Sequence, residues 1–346
     1  MKRLLTIGIL VWVMAIPVYA DTLEAPLAPE DAADLMPVEQ NSFGEDLWCV
    51  VRNAVEAVEP ELAQCASLCL GITAAVMLVS VLGSFPGSAK SATELAGAVA
   101  VACMLLKSTN TLVNSAVDTV QSLSDYGKLM LPVMTTAMAA QGGITSSAAL
   151  YTGTAVFDTV LGTLISWALV PMIYIFLVLA VSNAALEEEF LGKLKKFIKW
   201  LSTWGLKIIL YIFTGYMAIT GVVSGTADQT AIKAAKLTIS GMVPVVGGIL
   251  SDASETILVS AGTVKSVVGT YGLTAFIAIT IGPFLKIGIQ YLMLKMTASV
   301  CETFGSKRMT GLISDASAAM GLLLAMTGAV CLMFIISMVC FMKGMS

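Results

Sequence analysis

Polar and apolar positions along this chain fall into long blocks rather than short alternations. Uncharged runs occupy residues 62–89, 159–186, 208–227, 266–285 and 316–342, and a weaker sixth at 92–114, with Glu94 near its start, is interrupted by Lys107. At a rise of about 1.5 Å per residue, each is long enough as a helix to cover a hydrocarbon layer roughly 30 Å thick. A helix pairs its own backbone polar groups, which lipid cannot do, so the pattern predicts an all-α, polytopic membrane bundle of about six spans. Lys107 stands near the end of its run, where a long side chain can snorkel to the headgroups.

Two further apolar pieces are broken by proline and glycine. Residues 129–150 (LMLPVMTTAMAAQGGITSSAAL) contain Pro132, Gly142 and Gly143, with a bend expected at 141–143. Residues 241–256 (GMVPVVGGILSDASET) contain Pro244, Gly247, Gly248, Asp252 and Glu255. Neither piece is built to cross alone, and the charges at 252 and 255 are costly in lipid but acceptable against protein or water. Both are therefore read as re-entrant or interfacial segments whose named residues line a broken element or a pore.

Composition agrees with the blocks. Hydrophobic residues make up 57% of the chain and charged residues 12%, with a mean hydropathy of +0.89, against about 25% charged in soluble domains. The formal net charge is −4 and histidine is absent, which removes the commonest general base and zinc ligand and offers nothing to nucleic acid. Cys65 and Cys69 share a helix face, but the seven cysteines show neither a disulfide framework nor a metal-binding spacing. The stretch from Gly262 to Ser266 lacks the upstream glycine of a phosphate-cradling loop, so ATP hydrolysis by this chain is not expected. No catalytic residue, cofactor or metal is assigned.

The ends of the blocks suggest an organisation. Lys2 and Arg3, a short apolar run over 4–16 and a small-residue site ending at Ala20 read as a secretory signal over 1–20, with an uncleaved anchor as the alternative. Residues 21–61 form an acidic leader, exported in either case; its proline-bearing first half is read as a solvated linker, and a helix is expected from about Phe43. A first helical pair spans 62–128, and two membrane units follow at 129–228 and 229–346.

Those two units repeat weakly. Pro132 and Pro244 stand 112 positions apart, as do Pro171 and Pro283, and Glu188 with Phe190 and Thr214-Gly215 have later counterparts in Glu302 with Phe304 and Thr327-Gly328. Lys193, Lys195, Lys196, Lys199 and Lys207 crowd the loop of the first unit, and Lys286, Lys295, Lys307 and Arg308 flank or occupy that of the second. Positive charge stays on the cytoplasmic side, so both loops should face the cytoplasm and the units should run parallel. Residues 186–201 read as an amphipathic helix, with Leu186, Phe190, Leu191, Leu194, Phe197, Ile198 and Leu201 on one stripe and the lysines opposite. Lys193, Lys195, Lys196 and Lys199 thus form a basic face, either on lipid headgroups or as a cytoplasmic docking site.

With these features the chain resembles the stage III sporulation protein AE family of endospore-forming bacteria, most specifically through GMVPVVGGILSDASETILVSAGTVKS at 241–266. The leader is short for that family. The resemblance implies a non-enzymatic membrane subunit of the channel complex that joins the mother cell to the forespore for secretion or feeding. Its implied partners are the other stage III subunits, including a separate cytoplasmic ATPase, and its implied place is the mother-cell membrane around the forespore. The alternative is a self-sufficient secondary transporter for a small solute, using the two broken segments as its route.

Overall fold

The apolar blocks become helices longer than a bilayer requires. The structure, a computed structural model, describes residues 26–37, 42–83, 90–140, 144–219 and 267–344. The signal over 1–20 and the expectations at Gly142, Gly143, Pro244, Gly247, Gly248, Asp252 and Glu255 lie outside the described residues. A one-turn helix α1 (Glu30–Ala33) precedes α2 (Phe43–Gly83) and α3 (Lys90–Ala140). Next come α4 (Ile144–Leu164), a π-helical turn (Ile165–Leu169) and α5 (Val170–Leu186), which are continuous. Then follow α6 (Glu189–Ile219), α7 (Val267–Cys301) and α8 (Lys307–Gly344). Five helical stretches are long and apolar enough to cross a membrane: Phe43–Gly83, Ser91–Met138, Ser147–Leu186, Gly269–Cys301 and Lys307–Met342. They hold the described core of five of the six runs, and α6 holds the described part of the sixth.

Proline is handled differently in the two units. Pro171 lacks an N–H and its ring would crowd a carbonyl one turn earlier, and the π turn immediately before it absorbs that mismatch without ending the helix. Pro283 sits inside α7, Pro132 inside α3 and Pro60 inside α2 with the helix assigned straight through. Residues 129–140 are thus the last turns of α3 and 144–150 the first turns of α4, the two arms that flank the expected bend.

The helices wrap around α8. Its membrane-length window is 94% buried, and it packs against α7, α3, α5, α6 and α4. Phe334 of α8 stacks on Phe276 of α7 with ring centroids 4.9 Å apart, and Tyr126 of α3 meets the edge of Phe276 at 5.0 Å. Gly127 of α3 leaves room for the Phe334 ring, which an added Cβ would meet. Polar groups at this depth are small and paired: the Thr154 and Ser337 hydroxyls lie 2.8 Å apart, and Ser317 donates to the Tyr291 carbonyl at 3.2 Å.

The early segment departs from the linker expected for it. Residues 26–36 are pinned to the bundle: the Ala28 amide donates to the Tyr271 hydroxyl, Tyr126 donates to the Pro26 carbonyl, each at 3.3 Å, and Asn53 donates to the Leu35 carbonyl. Ala32 is buried, with Leu35 and Met36 packed against the core. These few apolar residues, diluted by acid and proline in the sequence, suffice to fold the segment back.

Candidate functional site

The turns between α5 and α6 and between α7 and α8 meet at one end of the bundle. After α5 the chain takes a left-handed step at Glu187 (φ 55°), whose amide donates to the Asn183 carbonyl at 2.9 Å. Such a backbone conformation is strained for a residue with a side chain and persists where surrounding contacts hold it. Here the Arg308 guanidinium, at the start of α8, grips the Glu187 carboxylate in a fork, Nε to Oε1 at 2.6 Å and Nη2 to Oε2 at 2.9 Å. The same guanidinium lies 4.0 Å from Glu94 at the start of α3. The Arg308 hydrogen bond and charge hold the Glu187 carboxyl below the usual carboxylate range. Ser80 near the end of α2 donates to the Phe304 carbonyl at 2.6 Å, so the end of α2 and the start of α3 share this face.

About two helical turns deeper along α8, Asp315 pairs with Lys195 of α6, both side chains largely buried. A cavity of about 310 Å³ lies between the two turns, lined by Glu187, Glu188, Glu189, Lys307, Arg308 and Asp315 among others. Both turns therefore open to the same side, joined by an Arg–Glu fork and a Lys–Asp pair.

The four lysines expected to form one basic face are split. At about 100° per residue, Lys195 and Lys199 point one way and Lys193 and Lys196 another. Lys195 and Lys199 turn inward, and burial lowers the Lys199 pKa, with Asp315 opposing and Lys295 and Lys195 adding to the shift. Lys193 and Lys196 are exposed, the former 3.0 Å from Glu189. Beside them Phe197, Trp200 and Trp204 stack along the outside of α6, centroids 6.1 and 5.6 Å apart, each ring about half exposed. The expected apolar stripe is itself divided, since Phe190 and Phe197 face outward while Ile198 packs on the core. Trp and Lys together outside a helix suit a membrane–water interface. Pro132 lies far along α3 from this face; the Thr136 hydroxyl donates to its carbonyl at 3.0 Å.

A second polar place was missed in the sequence. Glu61 and Lys286 were read as the charges that bound apolar runs, the former in the leader and the latter flanking a loop. Both instead sit inside helices, α2 and α7, and pair with each other. They border a cleft of about 460 Å³ between α2, α3 and α7, also lined by Gln64, Lys107, Thr111 and Gln290. The available signal was two opposite charges, each alone at the edge of an apolar run.

A family model described as Stage III sporulation protein AE (spore_III_AE) matches residues 33–344. The chain belongs to that family. A relative described as "Stage III sporulation protein AE" from Bacillus subtilis (strain 168) is 22% identical over 235 residues, which are 68% of this chain and 59% of the relative. The match thus spans less than two thirds of that relative's length. No solved structure matches. The family assignment takes in both turns and the α2–α3–α7 cleft, all within the matched residues.

Proposed function

We propose that this sporulation-family membrane protein is a non-enzymatic subunit of the channel complex between mother cell and forespore, serving secretion or feeding. The observation that carries this reading is family membership over residues 33–344 in an all-helical body with five membrane-length helices. The joined turns support it, because they offer a single charged face on which a separate cytoplasmic ATPase could dock, with Lys193 and Lys196 outermost. In this reading the face is cytoplasmic, the leader is exported, and the membrane is that of the mother cell around the forespore. Residues 142–143 and 244–255 remain proposed as the broken segments lining any conduit. With α8 filling the axis among the described residues, that conduit would run beside α8 or between subunits.

The test is affinity purification from sporulating cells with cysteine labelling of position 193. Recovery of an ATPase and of other stage III subunits, with position 193 labelled only from the mother-cell cytoplasm, is the expected result. Purified chain that alone moves a small solute into liposomes along an ion gradient, and recovers no partner from cells, would establish a secondary transporter instead.

A further inference from the structure

We propose that the cleft between α2, α3 and α7 is a binding site for the anionic phosphodiester headgroup of a phospholipid. Three observations combine. The Glu61–Lys286 pair is self-neutralising, while Lys107, exposed at the cleft wall, makes no ion pair among the described residues, so the site keeps one uncompensated positive charge. Gln290 is only 2% exposed overall and lines the cleft, into which its amide, without a hydrogen-bond partner among the described residues, opens. An amide that opens into a cleft with its donors unused can donate to a ligand that presents acceptor oxygens. The Thr111 hydroxyl is already committed to the Lys107 carbonyl at 3.3 Å, so Lys107 and Gln290, with Gln64, Ser108 and Ser115 also lining the cleft, are the groups that face an incoming anion.

Depth selects the source of that anion. Counted along the helices from the end where Glu94, Ser80 and Phe304 lie, Lys107 is about 20 Å and Glu61 about 28 Å away by helical rise. A hydrocarbon layer of roughly 30 Å counted from that end places the Glu61–Lys286 end of the cleft at the boundary of the opposite leaflet, where phosphodiester groups are concentrated, with Lys107 about 10 Å short of it and snorkelling towards it. Met104 and Leu106, beside Lys107 on α3, are exposed apolar side chains against which acyl chains can lie. A charged lysine at such a depth is stabilised by a headgroup that meets it there. This site does not depend on the channel-complex reading.

The experiment uses the full chain released gently from vesicles of phosphatidylglycerol and phosphatidylcholine in equal amounts, with bound lipid counted by native mass spectrometry. The chain should retain phosphatidylglycerol over phosphatidylcholine. Lys107→Gln combined with Gln290→Leu should lower that retention about tenfold, the loss of one charge-assisted contact. Arg52→Gln, at an exposed pair with Glu56 outside the cleft, should leave it unchanged. Lys107→Gln alone alters an exposed side chain and keeps the test readable if the double variant does not fold, and Lys107→Arg should retain the lipid. Equal retention by the parent and Lys107→Gln overturns the site. Binding of free glycerol phosphate with the same Lys107 dependence, without retained phospholipid, overturns the lipid source and assigns a soluble anion.

Discussion

Helices α8 and α2 are equally fit for lipid and differently used. Their best membrane-length windows have mean hydropathies of 2.5 and 2.3, yet 94% of the α8 window is buried inside the bundle and only 22% of the α2 window. Between apolar helices in lipid there is little hydrophobic force to choose a centre, so the choice falls to packing: where a ring finds a glycine to accept it, and where small hydroxyls pair. α8 has such partners all round, through Phe334 against Gly127 and Phe276, and Ser337 against Thr154. α2 presents Leu70, Leu78 and Val81 outward. Hydropathy states the solvent, and shape states the address.

Substitutions can break this contrast. The largest effect is expected from Phe334→Ala, which empties a site between Phe276 and Gly127 and should cost about 3–5 kcal/mol, while Leu70→Ala on α2 should change stability by less than about 1 kcal/mol; denaturant unfolding in mild detergent measures both. Gly127→Leu should follow, at about 3 kcal/mol, because the Phe334 ring it strikes is buried and cannot move away. Gly71→Leu, where nothing lies within 4 Å, should be neutral by the same assay.

The lysines of α6 sharpen the same comparison at smaller scale. Lys195→Met leaves the buried Asp315 carboxylate unpaired and should cost about 2 kcal/mol, whereas Lys193→Met removes an exposed pair and should cost less than about 0.5 kcal/mol. Equal melting-temperature shifts for the two would show that α6 does not turn Lys195 inward. The smallest effect is set by pH. Because Arg308 holds the Glu187 carboxyl below its ordinary value, the fork's contribution is fully present above the unfolded carboxylate pKa and is lost as pH falls through the lower folded one. The parent should therefore lose slightly more stability than Arg308→Gln across that acid window, in parallel melts.

Much of the second half was legible as order. A proline-bearing helix, a turn and a following helix occur in this order as α4–α5 with α6 and as α7 with α8, and the two turns meet on one face. The candidate docking residues were legible as types but not as a surface, since four lysines within seven positions cannot all face one way on a helix. Glu61 and Lys286 were misread because a lone charge ending an apolar run is, in one dimension, the same signal as a charge whose partner arrives from a distant helix.

By itself the sequence determined the membrane as solvent, the helices that could cross it, the family, and the pairing of helices across short turns, because burial in lipid and backbone self-satisfaction are properties of a local stretch. Only the tertiary structure decided that α8 is central, that Lys195 and Lys199 turn inward, and that Glu61, Lys286, Lys107 and Gln290 meet in one cleft. Those outcomes depend on the fit between side chains far apart in the chain, and such fit is a property of pairs that no single stretch contains.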